Sequence, residues 1–361
     1  MNKYCVNTTS DNQSRLSQYH NLTASLSKLT DQQLLQFLKK ENFFKQGIGG
    51  KCGIIKNSGV DLFVKRIPLS AIEHGSRNTL LTENIFNLPN YCQYGIGSPG
   101  FGTWRELAAM KMSNSWFLKG ESSSFPIMYH WRVLPKEKFV PTQEEINQME
   151  RDVQVWNGLP EIRTCFEEKL HAAFELIVFL EYFPSNLDTW LSQQFDMSDN
   201  AAESACLMVE KDLLATTNFM NSHQLLHFDA HFHNILTDGN RLYFADFGLA
   251  ISPLFDLSKS ELDFYQQHYN YDRCFVMAYF VEWIITQYFG ADDGFSGKYH
   301  HILQEYVDGN GKPLPSKIKT IVNRYAPLAL RMHNFFLELK QSKLTTYPTM
   351  ELENAFNTKL I

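Results

Sequence analysis

The stretch from His223 to Ala250 constrains the fold of this chain more than any other, because it has the pattern of a hairpin between polar residues. Asn234-Ile-Leu and Leu242-Tyr-Phe-Ala are short apolar runs. The Thr237-Asp-Gly-Asn between them predicts a tight turn, since Asp-Gly accepts positive φ values. If the two runs pair, Asn234 enters the hairpin and Asp246 leaves it at the same end. The amide and the carboxylate would then lie side by side, where both could bind Mg²⁺.

Asp229 is the second carboxylate of interest. It precedes Asn234 by five positions, in a loop rich in His and Phe. A carboxylate at that spacing could accept a proton from an incoming hydroxyl group while Asn234 and Asp246 hold metal ions.

Two motifs in this stretch resemble those of the protein-kinase-like superfamily. His227-Phe228-Asp229, four further residues and Asn234 are similar to its catalytic loop, and Asp246-Phe247-Gly248 is its Asp-Phe-Gly triplet unchanged. The motifs occur in the order found in that superfamily, on either side of the predicted hairpin. The resemblance implies ATP and Mg²⁺ as cofactors, Asp229 as the catalytic base, and Asn234 and Asp246 as the metal ligands.

The same residues admit other interpretations. The carboxylates could be ordinary turn residues, the histidines could be surface or core groups, and His227 in particular is typical of a structural hydrogen-bonding residue. Asp229-Ala-His231-x-His233 is similar to the Asp-x-His run of arginase-like manganese hydrolases, but the Asp-x-Asp-x-x-Asp pattern of that family does not occur in the chain. A zinc site at His227 and His231 would need further Cys or His ligands at a matching spacing.

Length and composition predict a globular protein. The chain has 361 residues, 44% of them hydrophobic and 14% aromatic, which suits about two domains with buried cores. The net charge of −6 argues against a nucleic-acid-binding protein with a basic face. The six cysteines are scattered without a Cys-x-x-Cys pair, a pattern typical of free thiols in a reducing compartment.

No targeting or membrane segment is predicted. The first 21 residues are polar and lack the apolar stretch of a Sec signal peptide. The longest apolar run, Cys274 to Phe289, is interrupted by Glu282 and is shorter than the roughly 20 residues of a membrane span. We therefore expect a soluble, cytoplasmic protein, although a non-Sec export signal would leave no such pattern.

The N-terminal part is predicted to begin with a loose polar arm over residues 1–30, which are rich in Ser, Thr, Asn and Gln. A helix follows from Thr30-Asp31. The segment containing Gly47, Gly49 and Gly50 lies between predicted strands and resembles the kinase glycine-rich loop, whose backbone N–H groups bind phosphates. An ordinary hairpin is the alternative interpretation.

Lys65 stands at the end of an apolar strand and is similar to the kinase lysine that contacts the α- and β-phosphates. That lysine requires a carboxylate partner on a helix. Glu106, in the helix-forming run from Thr103 to Lys111, is the expected partner, with Glu73 and Glu83 as alternatives. The interval before Glu106 contains Asn90 to Gly102, an insertion that we expect to lie over the nucleotide.

The run Phe174 to Phe183 predicts a buried strand that resembles the fifth kinase strand and hinge. The resemblance implies that Leu180 flanks the nucleotide pocket and that backbone groups near Glu181 and Phe183 bind the adenine. An ordinary core strand with a polar exit is the alternative. Residues 142–172 are predicted to be helical and form a second insertion.

The chain departs from the pattern of the superfamily at two positions and also lacks its Ala-Pro-Glu triplet. Phe228 replaces the catalytic-loop arginine that pairs with an activation-loop phosphate, so we expect activity without that switch. His231 replaces the lysine of Ser/Thr protein kinases, a feature similar to aminoglycoside and choline phosphotransferases, and no Ala-Pro-Glu follows. Asp272, before the apolar helix, is expected to hydrogen-bond the backbone of the catalytic loop.

The resemblance covers about residues 45–340 and implies an α+β, bilobal protein-kinase-like fold. Residues 31–183 would form a small antiparallel-sheet lobe with helical insertions, and residues 184–361 a mainly helical lobe. The implied function is ATP-dependent transfer of phosphate to a hydroxyl, by Lys65, Asp229 and Asn234. An atypical bacterial-type Ser/Thr protein kinase is the first interpretation. A small-molecule kinase and an inactive nucleotide-binding scaffold are the alternatives.

Overall fold

The computed structural model describes residues 6–39, 44–45, 50–57, 59–75, 81–95, 97–136, 140–290 and 297–357, of which 6–10 and 44–45 by their backbone alone. Within these ranges the protein is mixed α+β, with a small antiparallel sheet and many helices. The chain divides into two compact units. The first contains Met1–Phe183, Asp246–Leu249 and Phe255–Ser258, and the second contains Pro184–Ala245, Ala250–Leu254 and Lys259–Ile361.

The first unit is built on a five-stranded antiparallel sheet in the order β1-β2-β3-β5-β4. The strands are β1 (Phe44–Lys45), β2 (Lys51–Asn57), β3 (Val60–Leu69), β4 (Met128–Pro135) and β5 (Phe174–Glu181). Lys65 lies opposite Cys52 of β2 and Val178 of β5. The prediction that Lys65 ends its strand is wrong, because β3 continues to pair with β5 as far as Leu69.

Most of the predicted loose arm is helical, so that prediction is wrong for residues 6–27, while residues 1–5 lie outside the described residues. Helix α1 spans Val6–Ser27. Leu22 and Leu26 lie on one face of α1, four residues apart, and are buried in the same core as Tyr129 of β4. Thr23 donates a hydrogen bond to the carbonyl oxygen of Tyr129 at 2.8 Å. The apolar face of α1 is narrow and most residues of the helix are polar, so the composition of this segment indicated a loose arm.

Arg15 anchors α1 to the end of β5. Its Nε donates to Glu181 Oε1 at 2.9 Å and its Nη2 donates to Glu181 Oε2 at 2.7 Å. Nη2 also donates to the carbonyl oxygen of Phe125 at 2.9 Å. The Arg15 and Glu181 side chains are only 7% and 12% exposed. Loss of either partner would therefore leave a buried charge uncompensated.

We expect the substitution Arg15→Met to lower the free energy of unfolding by about 3–5 kcal/mol, the usual effect of breaking a buried ion pair. Arg151→Met is the matched control, because Arg151 and its partner Glu144 are 56% and 76% exposed. An exposed pair contributes about 1 kcal/mol or less. Urea unfolding followed by circular dichroism would compare the two variants, and equal destabilisation would contradict the anchoring role.

Further helices surround the sheet of the first unit. They are α2 (Asp31–Lys39), α3 (Ala71–Gly75), α4 (Thr103–Leu118), α5 (Gln143–Val155) and α6 (Pro160–Leu170). Helix α5 begins with a capping box, in which Thr142 and Glu145 bind each other's backbone N–H. The prediction that residues 142–172 are helical is confirmed by α5 and α6.

The second unit is mainly helical. Its helices are α7 (Leu187–Met197), α8 (Asp199–Ser222), α9 (Lys259–Gln267), α10 (Tyr271–Phe289), α11 (Gly297–Val307), α12 (Ser316–Gln341) and α13 (Thr349–Asn357). A three-stranded sheet contains β6 (Ser185–Asn186), β7 (Ile235–Thr237) and β8 (Leu242–Phe244). The antiparallel pairing of β7 with β8 confirms the predicted hairpin.

The described helices include none that is long and apolar enough to cross a membrane. In the described part of the chain, five cysteines are free thiols and are buried, namely Cys52, Cys92, Cys165, Cys206 and Cys274.

Candidate functional site

The first unit brings Lys65 together with two carboxylates that are distant in sequence. Lys65 Nζ donates to Glu106 Oε1 at 2.6 Å and to Asp246 Oδ1 at 2.8 Å. Lys65 and Glu106 are 7% and 6% exposed at their side chains, whereas Asp246 is 41% exposed. The structure thus pairs Lys65 with the expected carboxylate, and Asp246 is the accessible member of the cluster.

The charges of this cluster act on one another. Burial favours a neutral Lys65, but the negative charges of Asp246 and Glu106 outweigh burial and raise the pKa of Lys65 above its usual value. Burial raises the pKa of Glu106, against the attraction of Lys65 and of Lys169. Lys65 therefore remains a cation between two carboxyl groups.

Glu73 fixes the helix that carries Glu106. Glu106 lies in the first turn of α4. Glu73 Oε1 accepts a hydrogen bond from the backbone N–H of Thr103 at 2.7 Å, and the carbonyl oxygen of Glu73 accepts one from Trp104 Nε1 at 3.1 Å. A carboxylate in this place also interacts favourably with the helix dipole. Glu73, one alternative partner of Lys65, therefore caps α4, and Glu83, the other, is exposed.

Among the predicted phosphate-binding glycines, Gly47 and Gly49 lie outside the described residues. Gly50 has φ +123°, and a Cβ atom there would lie 2.2 Å from the carbonyl oxygen of Arg66. A side chain at this position would collide with β3, so close packing explains this glycine without a ligand. A role of the three glycines in phosphate binding stays a prediction.

The end of β5 carries the predicted hinge residues. Leu180 lies between β3 and β4 in the sheet. The backbone N–H of Glu181 donates to the carbonyl oxygen of Ile127 at 2.8 Å. An adenine contact to the backbone of Glu181 would therefore use its carbonyl oxygen. Phe183 is partly buried, and the nucleotide contacts of these residues stay predictions.

In the second unit, Asp272 of α10 holds the loop His227–Asn234. Asp272 Oδ2 accepts from the backbone N–H of His227 at 2.6 Å, and Oδ1 accepts from that of Phe228 at 2.9 Å. This confirms the contact expected from the sequence. Phe228 has φ 62°, a strained value for a residue with a side chain, and its ring stacks on Tyr271 at 4.3 Å. The hydrogen bonds and the stacking stabilise a backbone conformation that a free chain would disfavour.

His227 has a structural place in this loop. Its Nε2 lies 2.9 Å from the carbonyl oxygen of Ala245, and its Nδ1 accepts from the backbone N–H of Asp229 at 3.3 Å. A carbonyl only accepts, so Nε2 carries the proton and Nδ1 is the acceptor of a neutral ring. This arrangement fits the interpretation of His227 as a structural hydrogen-bonding residue.

The side chains of Asp229 and Asn234 contact each other. Asn234 Nδ2 donates to the carbonyl oxygen and to Oδ2 of Asp229, both at 3.0 Å. Both oxygens only accept, so the amide nitrogen must face them and the amide oxygen is directed elsewhere. Asp229 is 30% exposed, with His231 Nε2 3.7 Å from its Oδ1. An accessible carboxylate and an oriented amide oxygen therefore lie in one loop.

The chemistry of these donors fits Mg²⁺. Asp246 of the first unit offers a carboxylate oxygen and Asn234 of the second unit an amide oxygen, and each is an oxygen donor of the type that Mg²⁺ binds. In the part of the chain that the structure describes, no three His, Cys, Asp or Glu side chains form a group that could hold a metal ion. The described part contains the residues of both alternative metal sites. One is the manganese site of Asp229, His231 and His233, and the other is the zinc site of His227 and His231.

Asp272 makes the stability of the protein depend on pH. Burial raises the pKa of Asp272 to about 6, partly offset by the two N–H groups that it binds. The ordinary value is about 3.9, so the folded state holds this proton more tightly than the unfolded state. Stability from this group is therefore complete below about pH 4 and is lost as the pH rises through about 6.

We accordingly expect the free energy of unfolding of the wild type to fall by about 3 kcal/mol relative to Asp272→Asn between pH 4 and pH 7. The substituted amide cannot titrate, so the variant should lack this component. Denaturant unfolding of both proteins at several pH values would measure the difference. A difference that stays constant over this range would contradict the raised pKa.

Two features of the site had no signal in the sequence. Asp246, like Phe228, has a positive φ of 62°, although neither residue is Gly or Asn. Thr82 and Asp256 form a hydrogen-bonded pair across 174 positions, between segments without periodic pattern.

Comparison with the known protein families finds no matching family, and comparison with characterised proteins finds no similar sequence.

Proposed function

We propose that this protein is an ATP-dependent phosphotransferase with a bilobal protein-kinase-like fold, in which the first unit corresponds to the small lobe and the second to the large lobe. The observation that carries the proposal is the pairing of Lys65 with Glu106 and Asp246, which lie 41 and 181 positions away in the sequence. Burying a lysine between two carboxylates costs desolvation energy. Buried charged groups of this kind are typical of sites that bind a charged ligand.

In this proposal Lys65, oriented by Glu106, donates to phosphate oxygens of ATP. Asp246 and Asn234 would hold Mg²⁺, which offsets the charge of the phosphates. Within each unit the proposed donors are ordered by contacts of that unit, since the Lys65 cluster is buried and Asn234 is held by Asp229. Positioning and electrostatic stabilisation would thus provide most of the rate enhancement.

Asp229 is the proposed general base. The acceptor hydroxyl gives its proton to the Asp229 carboxylate while its oxygen forms a bond to the γ-phosphorus. The bond between that phosphorus and the β–γ bridging oxygen breaks, and ADP leaves with the bonding electron pair. The partly exposed carboxylate can meet an incoming hydroxyl, and Asp272 and Asn234 fix the loop that presents it.

The acceptor that we propose is a Ser or Thr of a protein. One observation favours a second candidate, a small hydroxyl compound. The second unit has a cavity of about 40 Å³ whose lining includes Tyr279, Glu282 and His333. The Tyr279 ring lies 5.0 Å from that of Phe232, in the same loop as Asp229. The cavity has room for roughly three water molecules, so it would take only a small group.

The experiment that tests the proposal is incubation of the purified protein with γ-labelled ATP, Mg²⁺ and either generic protein substrates or a panel of small hydroxyl compounds. We expect label in the protein itself or in the protein substrates. Label confined to a small compound would favour the second candidate. ATP binding without turnover would favour the inactive scaffold, and absence of ATP binding at millimolar Mg²⁺ would contradict the proposal.

A further inference from the structure

Thr82 is bound to the chain that follows Asp246. The Thr82 backbone N–H and hydroxyl both donate to Asp256 Oδ2, at 3.1 and 2.9 Å. In return the backbone N–H of Asp256 donates to Thr82 Oγ1 at 2.8 Å. Thr82 is 7% exposed, whereas the Asp256 side chain is exposed, so these hydrogen bonds lie at the edge of the protein. Hydrogen bonds to a carboxylate are stronger than those between neutral groups.

The same segment also contacts the Asp-Phe-Gly triplet and its successor. Gln93, 1% exposed, donates from Nε2 to the carbonyl oxygen of Leu249. A Cβ atom at Gly100 would lie 3.2 Å from the carbonyl oxygen of Gly248, so the two backbones are in close contact. The segment formed by residues 81–95 and 97–102 therefore touches both stretches of the first unit that follow the hairpin, 246–249 and 255–258.

The segment is itself held by the helices of the first unit. Arg105 of α4, 1% exposed, donates from Nε to the carbonyl oxygen of Thr82 at 2.5 Å. Trp156, which caps α5, donates from Nε1 to the carbonyl oxygen of Gly97 at 2.9 Å. Lys169 of α6 donates to the carbonyl oxygen of Pro99. These contacts make the segment a fixed support, and Arg105 is the neighbour in sequence of Glu106.

The conformation of Asp246 needs such a support. Its φ of 62° is costly for a residue with a side chain, and such strain persists only where the surroundings determine the backbone. Kinases with an arginine before the catalytic aspartate can order this part of the chain through a phosphate. Phe228 occupies that position here and carries no charge, so it cannot order this part of the chain through a phosphate.

We propose that residues 81–95 and 97–102 are a built-in positioning element, and that Thr82 and Gln93 are positioning residues that hold Asp246 in its metal-binding conformation. The inference rests on the proposed function. Side chains of this segment hold residues 246–249 and residues 255–258 in place, and these contacts take the role that a phosphate has in phosphorylated kinases. The protein is accordingly active as synthesised.

The test compares Thr82→Val, which keeps the side-chain shape without the hydroxyl, with Thr82→Ser, which keeps the hydroxyl. Thr164→Val is the matched control, because Thr164 is exposed on α6 and its hydroxyl donates to the carbonyl oxygen of Pro160 in the same helix. Gln93→Met removes the hydrogen bond to Leu249, a different contact of the same segment. The proposal can therefore still be tested if Thr82→Val does not fold.

Two measurements are made on each variant. Hydrogen exchange reports the backbone N–H of Asp256, and ATP turnover against Mg²⁺ concentration reports how well Asp246 is placed. In Thr82→Val we expect faster hydrogen exchange at the backbone N–H of Asp256. We also expect the Mg²⁺ concentration for half-maximal turnover to rise roughly tenfold or more, because a hydrogen bond to a charged group is lost. Thr82→Ser should restore both, Gln93→Met should raise the Mg²⁺ requirement, and Thr164→Val should change neither.

The proposal is overturned if folded Thr82→Val and Gln93→Met keep the wild-type exchange rate and Mg²⁺ dependence, or if Thr82→Ser is as impaired as Thr82→Val. Failure of the proposed function would look different. The wild type would then bind no ATP, while the exchange rate at Asp256 would still report whether Thr82 restrains this part of the chain.

Discussion

The substitution Asp229→Asn should lower the turnover of phosphotransfer by about 10²–10⁴, the range expected for a positioned general base, while ATP binding stays close to that of the wild type. The asparagine keeps the size of the side chain but cannot take the hydroxyl proton. The hydrogen bond from Asn234 can persist, since the new amide oxygen still accepts. Turnover and the Michaelis constant for ATP would separate a loss of chemistry from a loss of binding.

Asp263→Asn is the control for this experiment. Asp263 is an exposed carboxylate on α9, outside the loop His227–Asn234, and its substitution should leave turnover unchanged. Phosphotransfer by Asp229→Asn at a rate near that of the wild type would remove Asp229 from the mechanism.

The substitution Lys65→Met should lower kcat/KM for ATP by about 10²–10³, the cost of removing one preorganised donor to a developing charge. It should also lower the free energy of unfolding by about 3–5 kcal/mol, because Glu106 is left as a buried carboxylate without its cation. Asp246 adds less to this loss, since its side chain is 41% exposed and is screened by water.

A second variant separates these two effects. Lys65→Met combined with Glu106→Gln removes both buried charges, so we expect it to regain much of the lost stability and none of the activity. Lys56→Met is the exposed control, because Lys56 and its partner Asp61 are 68% and 48% exposed. If the folded double variant binds ATP and Mg²⁺ as the wild type does, Lys65 has no part in nucleotide binding.

The features of the fold that could be predicted from sequence are those with a local signal. The hairpin was predictable because Asp238-Gly239 and the two apolar runs lie within a stretch of twelve residues, 234–245. The contact between Asp272 and the loop, and that between Lys65 and Glu106, were predictable only through the resemblance. No spacing rule connects residues 41 or 45 positions apart.

Other features depend on contacts that a sequence pattern does not express. Arg15 and Glu181 are 166 positions apart, and either could have been an ordinary surface charge. Whether a charge is buried depends on what packs around it. The positive φ of Phe228 likewise results from Asp272 and Tyr271, which impose a backbone that Phe itself disfavours.

The docking of α1 limits where a shortened version of this protein can begin. Strand β4 is the last strand of its sheet, and α1 packs beside it through Leu22, Leu26 and Thr23. A truncated protein that started at Thr30 would present an uncovered edge strand with unpaired backbone groups. Such edges join those of neighbouring molecules, so the truncated protein would aggregate even though every residue of the proposed site was retained.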